Sequence, residues 1–555
     1  MFPTTPTLVY LLLCWLQLAT SVPFSHTSRS LLDISISDLG ALLGNGTITS
    51  YGLVDLYMRR TKEVNDDLNA VIELNPHALN TARQLDEERA KGSIRGPLHG
   101  IPILVKDNYA TDDMPTGAGS VCLARSRPRR DAHVVSRLRK AGAIILGKAN
   151  LSEFSGMRGS NVTEGWSARG GQTSGAYVKH QSACGSSSGS GVAASLGLAA
   201  GTLGTETSGS ISCPAMFNNV VGIKPTVGLT SRDGVVPLTP RQDTTGPIAQ
   251  SVADAAAILD IIAGKDVNDN YTSAQPWDAP PSYTSALNAS ALVGKRLGVI
   301  WLDDDILNIT GGANREQTKV VFDKALLDLE AAGAELVNVT LGTRGVSLQE
   351  AAQWVRGNMS EYAFPDFKEG MSTYIGDLLP GPDGIANISE LYECLKSDPL
   401  EQASTFSLEN WELALQVNIT AGSAKAWEAY VAASGISRNL IVDPIVEHKL
   451  DAIVMPPELS WTATASPGLP IVTVPIGALG DDAETVWGDS GTLIRSAPGL
   501  PLGLSFTADR WTEKELIGYA YAYEQVSRKR RTLKPQIKPS SDLDSILKYN
   551  MLELL

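Results

Sequence analysis

The sequence predicts an α/β fold in which a mixed central sheet is covered by helices on both faces. Short apolar runs, typical of buried strands, alternate with segments of helical periodicity over several hundred residues, as they do in α/β domains. The 555 residues are 43% hydrophobic and 19% charged, which excludes a disordered or fibrous chain and supplies a large core. No internal repeat is evident, and we expect one large domain over about residues 30–535.

The first residues have the pattern of a signal peptide. Residues 8–18 form an apolar run of 11 residues, too short for a helix to cross a hydrocarbon core of about 30 Å. Ala19 and Ser21 then stand at the positions where small residues precede a cleavage site. No later stretch is long and apolar enough to span a membrane. We therefore predict a signal peptide over residues 1–21, a secreted protein and no membrane span.

The elements predicted in the first part of the mature chain alternate in type. Helical spacing of apolar residues predicts helices, and short apolar runs predict buried strands. In chain order they are helices 37–43 and 54–64, strand 100–105, helix 133–141, strand 143–146 and helix 191–198. Lys106 directly follows the first of these strands.

The alternation continues towards the C-terminus. The elements predicted there are strand 296–302, helix 318–332, and strands 335–339, 451–454 and 469–477. Between about residues 266 and 427 the sequence is more polar, and we interpret this part as divergent insertions around the sheet, not as a separate domain. Because proline cannot donate to a strand ladder, Pro470 and Pro475 should confine the last strand to an edge or to strand ends.

Charge and residue types narrow the partners. There are 60 acidic and 46 basic residues, a net charge of −14, and no dense Lys/Arg cluster, so nucleic acid is not an expected partner. No His, Cys and carboxylate residues have the spacing of metal ligands, so we expect neither a metal nor a cofactor.

Glycosylation sequons support export. Ten of the 22 Asn residues begin Asn-X-Ser/Thr, where chance would give roughly three. We expect Asn150 to be an accidental match because it lies in a motif described below. The predicted glycosylation sites are Asn45, Asn161, Asn270, Asn288, Asn308, Asn338, Asn358, Asn387 and Asn418.

A Gly- and Ser-rich stretch over residues 184–209 is the candidate for chemistry. A flexible linker is out of place between core-like segments, and a phosphate loop would need G-x-x-x-x-G-K-[ST], which is absent. Residues 185–189 match G-x-S-x-G, which would make Ser187 a nucleophile with a downstream acid and His. Of the six His residues only His448 follows Ser187 in the sequence, and it looks like the end of an ordinary element. The sequence therefore offers little support for a triad that uses histidine.

Lys106 is the candidate base if histidine is not. A serine nucleophile needs a group that takes its proton, and a buried lysine can serve because desolvation lowers its pKa. Lys106 ends an apolar strand, where open α/β sheets present functional groups. A surface lysine at a strand end is the alternative interpretation.

Five motifs, in this order, resemble those of the amidase signature family. They are GIPILVKDN (100–108), GKANLSEF (147–154), CGSSSGSG (184–191), GTETSGSI (204–211) and GIKPT (222–226). The match is dense over about residues 96–262 and recurs at 469–477 and 501–525. Five ordered motifs are far more specific than any one, and they imply a single large amidase-signature domain.

The resemblance implies a Ser-cisSer-Lys triad. Ser210 would be the nucleophile, and Ser186, joined to its predecessor by a cis peptide bond, would relay the proton to a neutral Lys106. Ser187 would have a supporting role. The reaction would be attack on an amide carbonyl, release of ammonia or amine, and hydrolysis of the acyl-enzyme.

The same resemblance implies an oxyanion hole. The backbone N–H groups of Thr207, Ser208, Gly209 and Ser210 would stabilise the negative oxygen of the intermediate. This loop departs from the commonest family pattern, since many members carry Asp and two glycines where this chain has Glu206 and Ser208-Gly209.

Four segments look like the peptide amidase branch, whose members remove the C-terminal amide from peptides. They are residues 165–173, 184–190, 204–207 and 227–234. The resemblance therefore implies a secreted amidase that takes a small-molecule or peptide amide and water. The alternatives are a fatty-acid or aryl amide hydrolase, the amidase-type subunit of an amidotransferase, and an inactive glycoprotein that binds amides or peptides.

The cysteines leave the disulfide pattern open. Cys14 lies in the predicted signal peptide, and the remaining Cys122, Cys184, Cys213 and Cys394 allow three pairings. Cys184 and Cys213 flank the proposed triad, and we expect them to be small packing residues first and a disulfide second.

Overall fold

A single mixed sheet of eleven strands organises the part of the chain that the computed structural model describes, residues 30–300, 312–339, 348–379 and 384–545. Its strand order is β1-β3-β2-β6-β8-β7-β12-β15-β11-β9-β10. Its strands are β1 Val71–Leu74, β2 Pro102–Lys106, β3 Ile144–Ala149, β6 Gly201–Glu206, β7 Val221–Lys224, β8 Thr244–Ala249, β9 Arg296–Ile300, β10 Glu335–Val339, β11 Ala452–Met455, β12 Ile471–Ala478 and β15 Pro501–Thr507. Two short hairpins pair β4 Trp166–Ser167 with β5 Gly171–Gln172 and β13 Val486–Trp487 with β14 Ile494–Ser496.

Helices cover both faces of this sheet. They are α1 Ile36–Gly44, α2 Ser50–Leu68, α3 Ala78–Ala90, α4 His133–Lys140, α5 Ser188–Leu196, α6 Ser212–Phe217, α7 Val252–Ile262, α8 Arg315–Ala331, α9 Leu348–Asp377, α10 Ile388–Ser397, α11 Glu409–Gln416, α12 Ala424–His448, α13 Pro457–Thr464, α14 Glu513–Ser527 and α15 Lys529–Thr532. The mixed α/β fold predicted from the sequence is confirmed.

Alternation along single strands shows the two faces. In β11, Ala452 and Val454 belong to the main hydrophobic cluster with α2, α4, α7, α8 and α14. Ile453 and Met455 belong instead to a second cluster with α12 and α13. Since successive side chains of a strand point to opposite faces, the helices form a layer on each side.

Strand β2 runs parallel to both of its neighbours in the sheet. β2 pairs in parallel with both β3 and β6, with Val105 opposite Leu203. Because parallel neighbours end at the same edge, Lys106 at the end of β2 lies beside Thr205 near the end of β6.

The expectation that the two prolines lie at an edge or at strand ends is confirmed for Pro470, which directly precedes β12, and was wrong for Pro475. β12 lies in the interior of the sheet between β7 and β15. The ladder with β7 covers only residues Ile471 to Thr473, and a register shift against β15 follows Pro475. The proline therefore sits beyond the β7 ladder and at a bulge, where its missing N–H removes no bond to β7.

Part of the region interpreted as insertions belongs to the sheet. β9 and β10 form its last two strands, and α8 packs against them through the main hydrophobic cluster. The remainder, α9 to α12, is helical. The predicted domain boundaries stay predictions, and the predicted signal peptide, 1–21, lies outside the described residues.

Candidate active site

Lys106 is buried and contacts one of the predicted catalytic serines. It is the last residue of β2 and has no exposed surface. Its Nζ donates to Ser186 Oγ at 2.7 Å and to Thr205 Oγ1 at 2.9 Å. Burial lowers the pKa of Lys106 to about 7, while Asp243 and Glu206 act in the opposite direction. A lysine in this state is partly neutral near pH 7 and can accept a proton.

Two other buried lysines have different partners. Burial lowers the pKa values of Lys148 and Lys224 to about 8. Lys148 donates to Thr116 Oγ1 at 3.0 Å, and Lys224 donates to the Leu469 carbonyl at 2.6 Å. Among these three, Lys106 is the one bonded to a predicted catalytic serine.

The Ser186 loop is joined to the end of β6 by its neighbour Ser187. The Gly185–Ser186 peptide bond is cis, as the resemblance implied. Ser187 Oγ donates to the Thr205 carbonyl at 3.1 Å and accepts from the Thr205 N–H at 3.2 Å. Ser187 is fully buried, and its hydroxyl both donates and accepts a hydrogen bond. These contacts suit a residue that supports the loop and do not suit a nucleophile. His448, its candidate partner, is exposed at the end of α12.

Ser210 lies in the loop between β6 and α6, beside the Ser186 loop. Its carbonyl accepts from the Ser187 N–H at 3.2 Å, and 9% of the residue is exposed. Glu206 shapes this loop, because its Oε2 accepts from the N–H groups of Ile211 and Ser212 at 2.8 and 2.9 Å. The fold thus brings Lys106, Ser186 and Ser210 into one region from three separate parts of the chain.

The predicted oxyanion loop, residues 207–210 and called the oxyanion loop below, has a left-handed turn at Gly209. Gly209 has φ of +83°, and a Cβ there would stand 3.0 Å from the Trp461 ring. The positive φ strains any other residue and the Trp461 ring would have to shift for a Cβ, so both observations favour glycine. Ser208, which replaces a frequent glycine of the family, is exposed and is not among the residues with positive φ, so a side chain is accommodated there.

Sequence reasoning missed three polar residues around this loop. Thr205 Oγ1 accepts from both Lys106 and Asn108, the latter at 2.9 Å. Asp243 accepts from the Thr207 hydroxyl at 2.6 Å, and burial raises its pKa to about 6. Gln242 donates to the Thr207 carbonyl at 3.4 Å. The Thr205 position lies inside a motif quoted above, whereas Gln242 and Asp243 gave no signal in the sequence.

The preference for packing residues over a disulfide at Cys184 and Cys213 was wrong. They form a disulfide, and Cys122 and Cys394 form a second one. The first joins the segment just before Ser186 to α6, which follows Ser210. Both cysteines are buried, so they also pack, in a cluster with Met216 and Phe217.

A cavity of about 640 Å³ opens beside the oxyanion loop. Its wall includes Asn108, Thr205, Thr207, Asp243 and Tyr374 of α9, while Ser186 and Ser210 are not among the residues that line it. This volume is within the range of small-ligand sites, which bury most of a drug-sized molecule. Apolar residues such as Val236 and Leu238 line it beside the hydroxyls, so it suits a ligand with both polar and apolar parts.

Most of the predicted glycosylation sites are at the surface. Asn308 lies outside the described residues, and for Asn358 only its position in α9 is described. Asn150 is fully buried and its Nδ2 donates to three acceptors, so no glycan can attach there. The exposed sites are Asn45, Asn161, Asn270, Asn288, Asn338, Asn387 and Asn418.

Comparison with known proteins decides the family. The family model described as Amidase matches residues 52–517. The chain belongs to the amidase family. A putative amidase of Arthroderma benhamiae is 43% identical over 94% of this chain and 86% of its own length. A probable amidase of Arabidopsis thaliana is 38% identical over 92% of this chain and 93% of its own.

Solved structures of amidases have the same fold. The X-ray structure of the peptide amidase from Stenotrophomonas maltophilia superposes with a TM-score of 0.80 at 37% identity, covering 93% of this chain and all of that one. The resemblance to the amidase signature family is confirmed, and the chain is a hydrolase that acts on amide C–N bonds.

In the described ranges no helix has the length and apolar character to cross a bilayer, and no three His, Cys, Asp or Glu side chains are grouped to hold a metal ion.

Proposed function

We propose that this amidase is a secreted enzyme that hydrolyses amides through an acyl-enzyme on Ser210, with Ser186 as proton relay and Lys106 as base. The observation that carries the proposal is the 2.7 Å contact between Lys106 Nζ and Ser186 Oγ, made by a lysine whose burial lowers its pKa to about 7. A contact of this length permits proton transfer, and the lysine is partly neutral at physiological pH.

Each step can be assigned to a group. Ser210 Oγ attacks the amide carbonyl while its proton passes through the Ser186 hydroxyl to Lys106 Nζ. The negative carbonyl oxygen is stabilised by N–H groups of the oxyanion loop. The same proton returns through Ser186 to the leaving nitrogen as the C–N bond breaks. Water then repeats the sequence on the ester, releasing the carboxylic acid and free Ser210.

Replacement of the nucleophile tests this mechanism. Ser210→Ala should abolish ammonia release while the folded state is retained, because it removes only the hydroxyl that would form the acyl-enzyme. Ser195→Ala is the control, since Ser195 is a buried serine of α5 that bonds Tyr177 Oη at 3.1 Å. A fluorophosphonate should label the wild type and the control on Ser210. Amide hydrolysis by purified Ser210→Ala, or wild-type protein that is neither active nor labelled, would reject the proposal.

Peptide C-terminal amides are the substrates we propose. The likeness to the peptide amidase of Stenotrophomonas maltophilia and a cavity with hydroxyl and apolar walls support this choice. Ammonia release from a panel of peptide amides, amino-acid amides, fatty-acid amides and aryl amides tests it. Preference for the fatty-acid or aryl amides would reject it in favour of those classes.

Two disulfides and seven exposed sequon asparagines support secretion, since disulfides persist mainly in oxidising compartments. Expression of the full chain in a eukaryotic secretory host should release protein into the medium, with a mass that falls on glycosidase treatment. Retention in the cell without glycans would contradict this part of the proposal.

A further inference from the structure

The first peptide unit of the oxyanion loop is held from two sides. The Thr207 hydroxyl donates to Asp243 Oδ1 at 2.6 Å, and the Thr207 carbonyl accepts from Gln242 Nε2 at 3.4 Å. The two partners are consecutive residues that immediately precede β8. One dipeptide therefore binds both the side chain and the backbone of Thr207.

The carbonyl contact fixes where the next N–H points. The Thr207 carbonyl and the Ser208 N–H belong to one planar peptide unit, in which C=O and N–H point in opposite directions. When Gln242 binds the carbonyl on one side, the Ser208 N–H is directed to the other side. Ser208 N–H is one of the donors assigned above to the oxyanion hole, and a donor that points away cannot stabilise the intermediate.

Asp243 is itself rigidly held. Its Oδ2 accepts from the N–H groups of Leu238 and Thr239 at 2.7 and 3.0 Å, so both carboxylate oxygens are engaged. A carboxylate with three donors is a firm anchor for the Thr207 hydroxyl.

Gln242 has a partner on a different element. Its Oε1 accepts from Tyr362 Oη at 2.9 Å, and both residues are fully buried. Tyr362 belongs to α9, the helix that also supplies Tyr374 to the cavity wall. The contact therefore links the oxyanion loop to a helix that faces the substrate cavity.

We propose that Gln242 and Asp243 are positioning residues that orient the oxyanion loop, and that Tyr362 holds Gln242 in the orientation this requires. The proposal rests on the function proposed above, because it assigns a role to the donors of that mechanism. Gln242 and Asp243 position the loop through their contacts with Thr207, and Tyr362 acts through Gln242.

Asp243 has a second effect that a merely structural residue would lack. Its negative charge raises the pKa of Lys106, opposing the effect of burial. The charged groups that face Asp243 are Lys106 and Arg232, and Glu206 also acts on Lys106. Removing the Asp243 charge should therefore make Lys106 easier to deprotonate and move the acidic limb of the activity profile to lower pH.

Replacement of Gln242 is the main test. Gln242→Ala should lower kcat about 10-fold to 100-fold with little change in KM, because ground-state binding does not use the oxyanion donors fully. Affinity for a peptide aldehyde, which forms a tetrahedral adduct, should fall by the same factor as kcat. Affinity for a peptide analogue whose C-terminal amide carbonyl is reduced to CH2, and which therefore forms no tetrahedral adduct, should not change.

The matched control is Gln275→Ala. Gln275 is also buried, and its Nε2 donates to the carbonyls of Gly228 and Leu229 at 2.8 and 3.1 Å, in a turn without contact to the oxyanion loop. It should lose stability without losing kcat. Equal kcat losses in the two variants, or an unchanged kcat in Gln242→Ala, would overturn the proposal.

Two further substitutions keep the test informative if Gln242→Ala does not fold. Tyr362→Phe removes only the hydroxyl that holds Gln242, and it should lower kcat several-fold. Thr207→Val removes the donor to Asp243 and should lower kcat, whereas Thr207→Ser keeps the hydroxyl and should retain activity. An active Thr207→Val enzyme would overturn the role of Asp243.

The charge effect is measured with Asp243→Asn. The acidic limb of kcat/KM should move to lower pH as kcat falls, and a limb that stays or moves to higher pH would contradict the assignment.

Failure of this inference is distinct from failure of the proposed function. In the first case Ser210→Ala is inactive while the Gln242 and Asp243 variants resemble their controls; in the second, Ser210→Ala itself retains activity.

Discussion

At the scale of single residues, the partner of a buried lysine decides what it can do. Lys106, Lys148 and Lys224 are all fully buried and all have lowered pKa values. Lys224 donates to a backbone carbonyl, which cannot pass a proton on. Lys106 donates to a serine hydroxyl, which can. Burial therefore explains why these lysines can be neutral near physiological pH, and contact with Ser186 explains the proposed catalytic role of one of them.

Lys106 gives a prediction about pH. Since the neutral amine is the base, kcat/KM should rise with pH through an apparent pKa near 7 and be lost below it as Lys106 becomes protonated. Lys106→Met should abolish the activity, whereas Lys224→Met should keep both the activity and the position of the limb. A limb near pH 7 in residual activity of Lys106→Met would assign it to another group.

At the scale of elements, parallel pairing places the proposed base, Lys106, and a disulfide joins the two serine loops. β2 and β6 are parallel neighbours, so Lys106 and Thr205 meet at one edge of the sheet. Cys184 lies two residues before Ser186, and Cys213 lies three residues after Ser210. The disulfide between them closes a covalent ring that contains both serines, and it should limit how far they can separate.

The two disulfides should differ in their effect on catalysis. Replacing Cys184 and Cys213 by Ala should lower kcat about 10-fold to 100-fold, because small misplacements of reacting groups are costly. Replacing Cys122 and Cys394 by Ala removes a disulfide outside the serine loops and should leave kcat unchanged. Each pair should lower the free energy of unfolding by about 2–5 kcal/mol. Steady-state kinetics and denaturant unfolding measure both effects, and equal kcat in the two double variants would refute the positioning role.

At the scale of the whole molecule, a buried ion cluster attaches the helices after α9 to the sheet domain. Arg158 is fully buried and bonds Glu153 on one side and Glu401 at 2.7 Å on the other. Glu401 in turn accepts from the Ser120 hydroxyl at 2.6 Å and the Val121 N–H at 2.9 Å. The disulfide between Cys122 and Cys394 reinforces the same junction.

Arg158→Met should therefore destabilise the protein strongly. It leaves two buried carboxylates without their cation, and breaking a buried pair in this way costs about 3–5 kcal/mol. Arg59→Met is the control, because its i,i+4 pair with Asp55 is largely exposed and should contribute at most about 1 kcal/mol. Guanidinium unfolding curves compare the two. Similar midpoints for both variants would show that the cluster does not hold the junction.

The sequence alone predicted those parts of the site that lie within continuous motifs. The mixed α/β fold follows from local periodicity, and the lysine and serines were identified because they lie in ordered motifs of a known family. Gln242 and Asp243 could not be identified, because a Gln-Asp pair before a strand has no local signal, and its role depends on the loop that follows the neighbouring strand β6. The same is true of Glu401, which lies 243 residues from its partner Arg158.

What the sequence determined by itself is the fold class, the family and the candidate residues, since each depends on local patterns along the chain. What only the tertiary structure decided is which residues meet: Lys106 with Ser186, Asp243 with Thr207, Cys184 with Cys213 and Cys122 with Cys394. It also placed β12 inside the sheet despite its proline, because strand order is set by pairing between distant segments. Contacts between residues far apart in sequence depend on the packing of the entire sheet, and no local pattern encodes them.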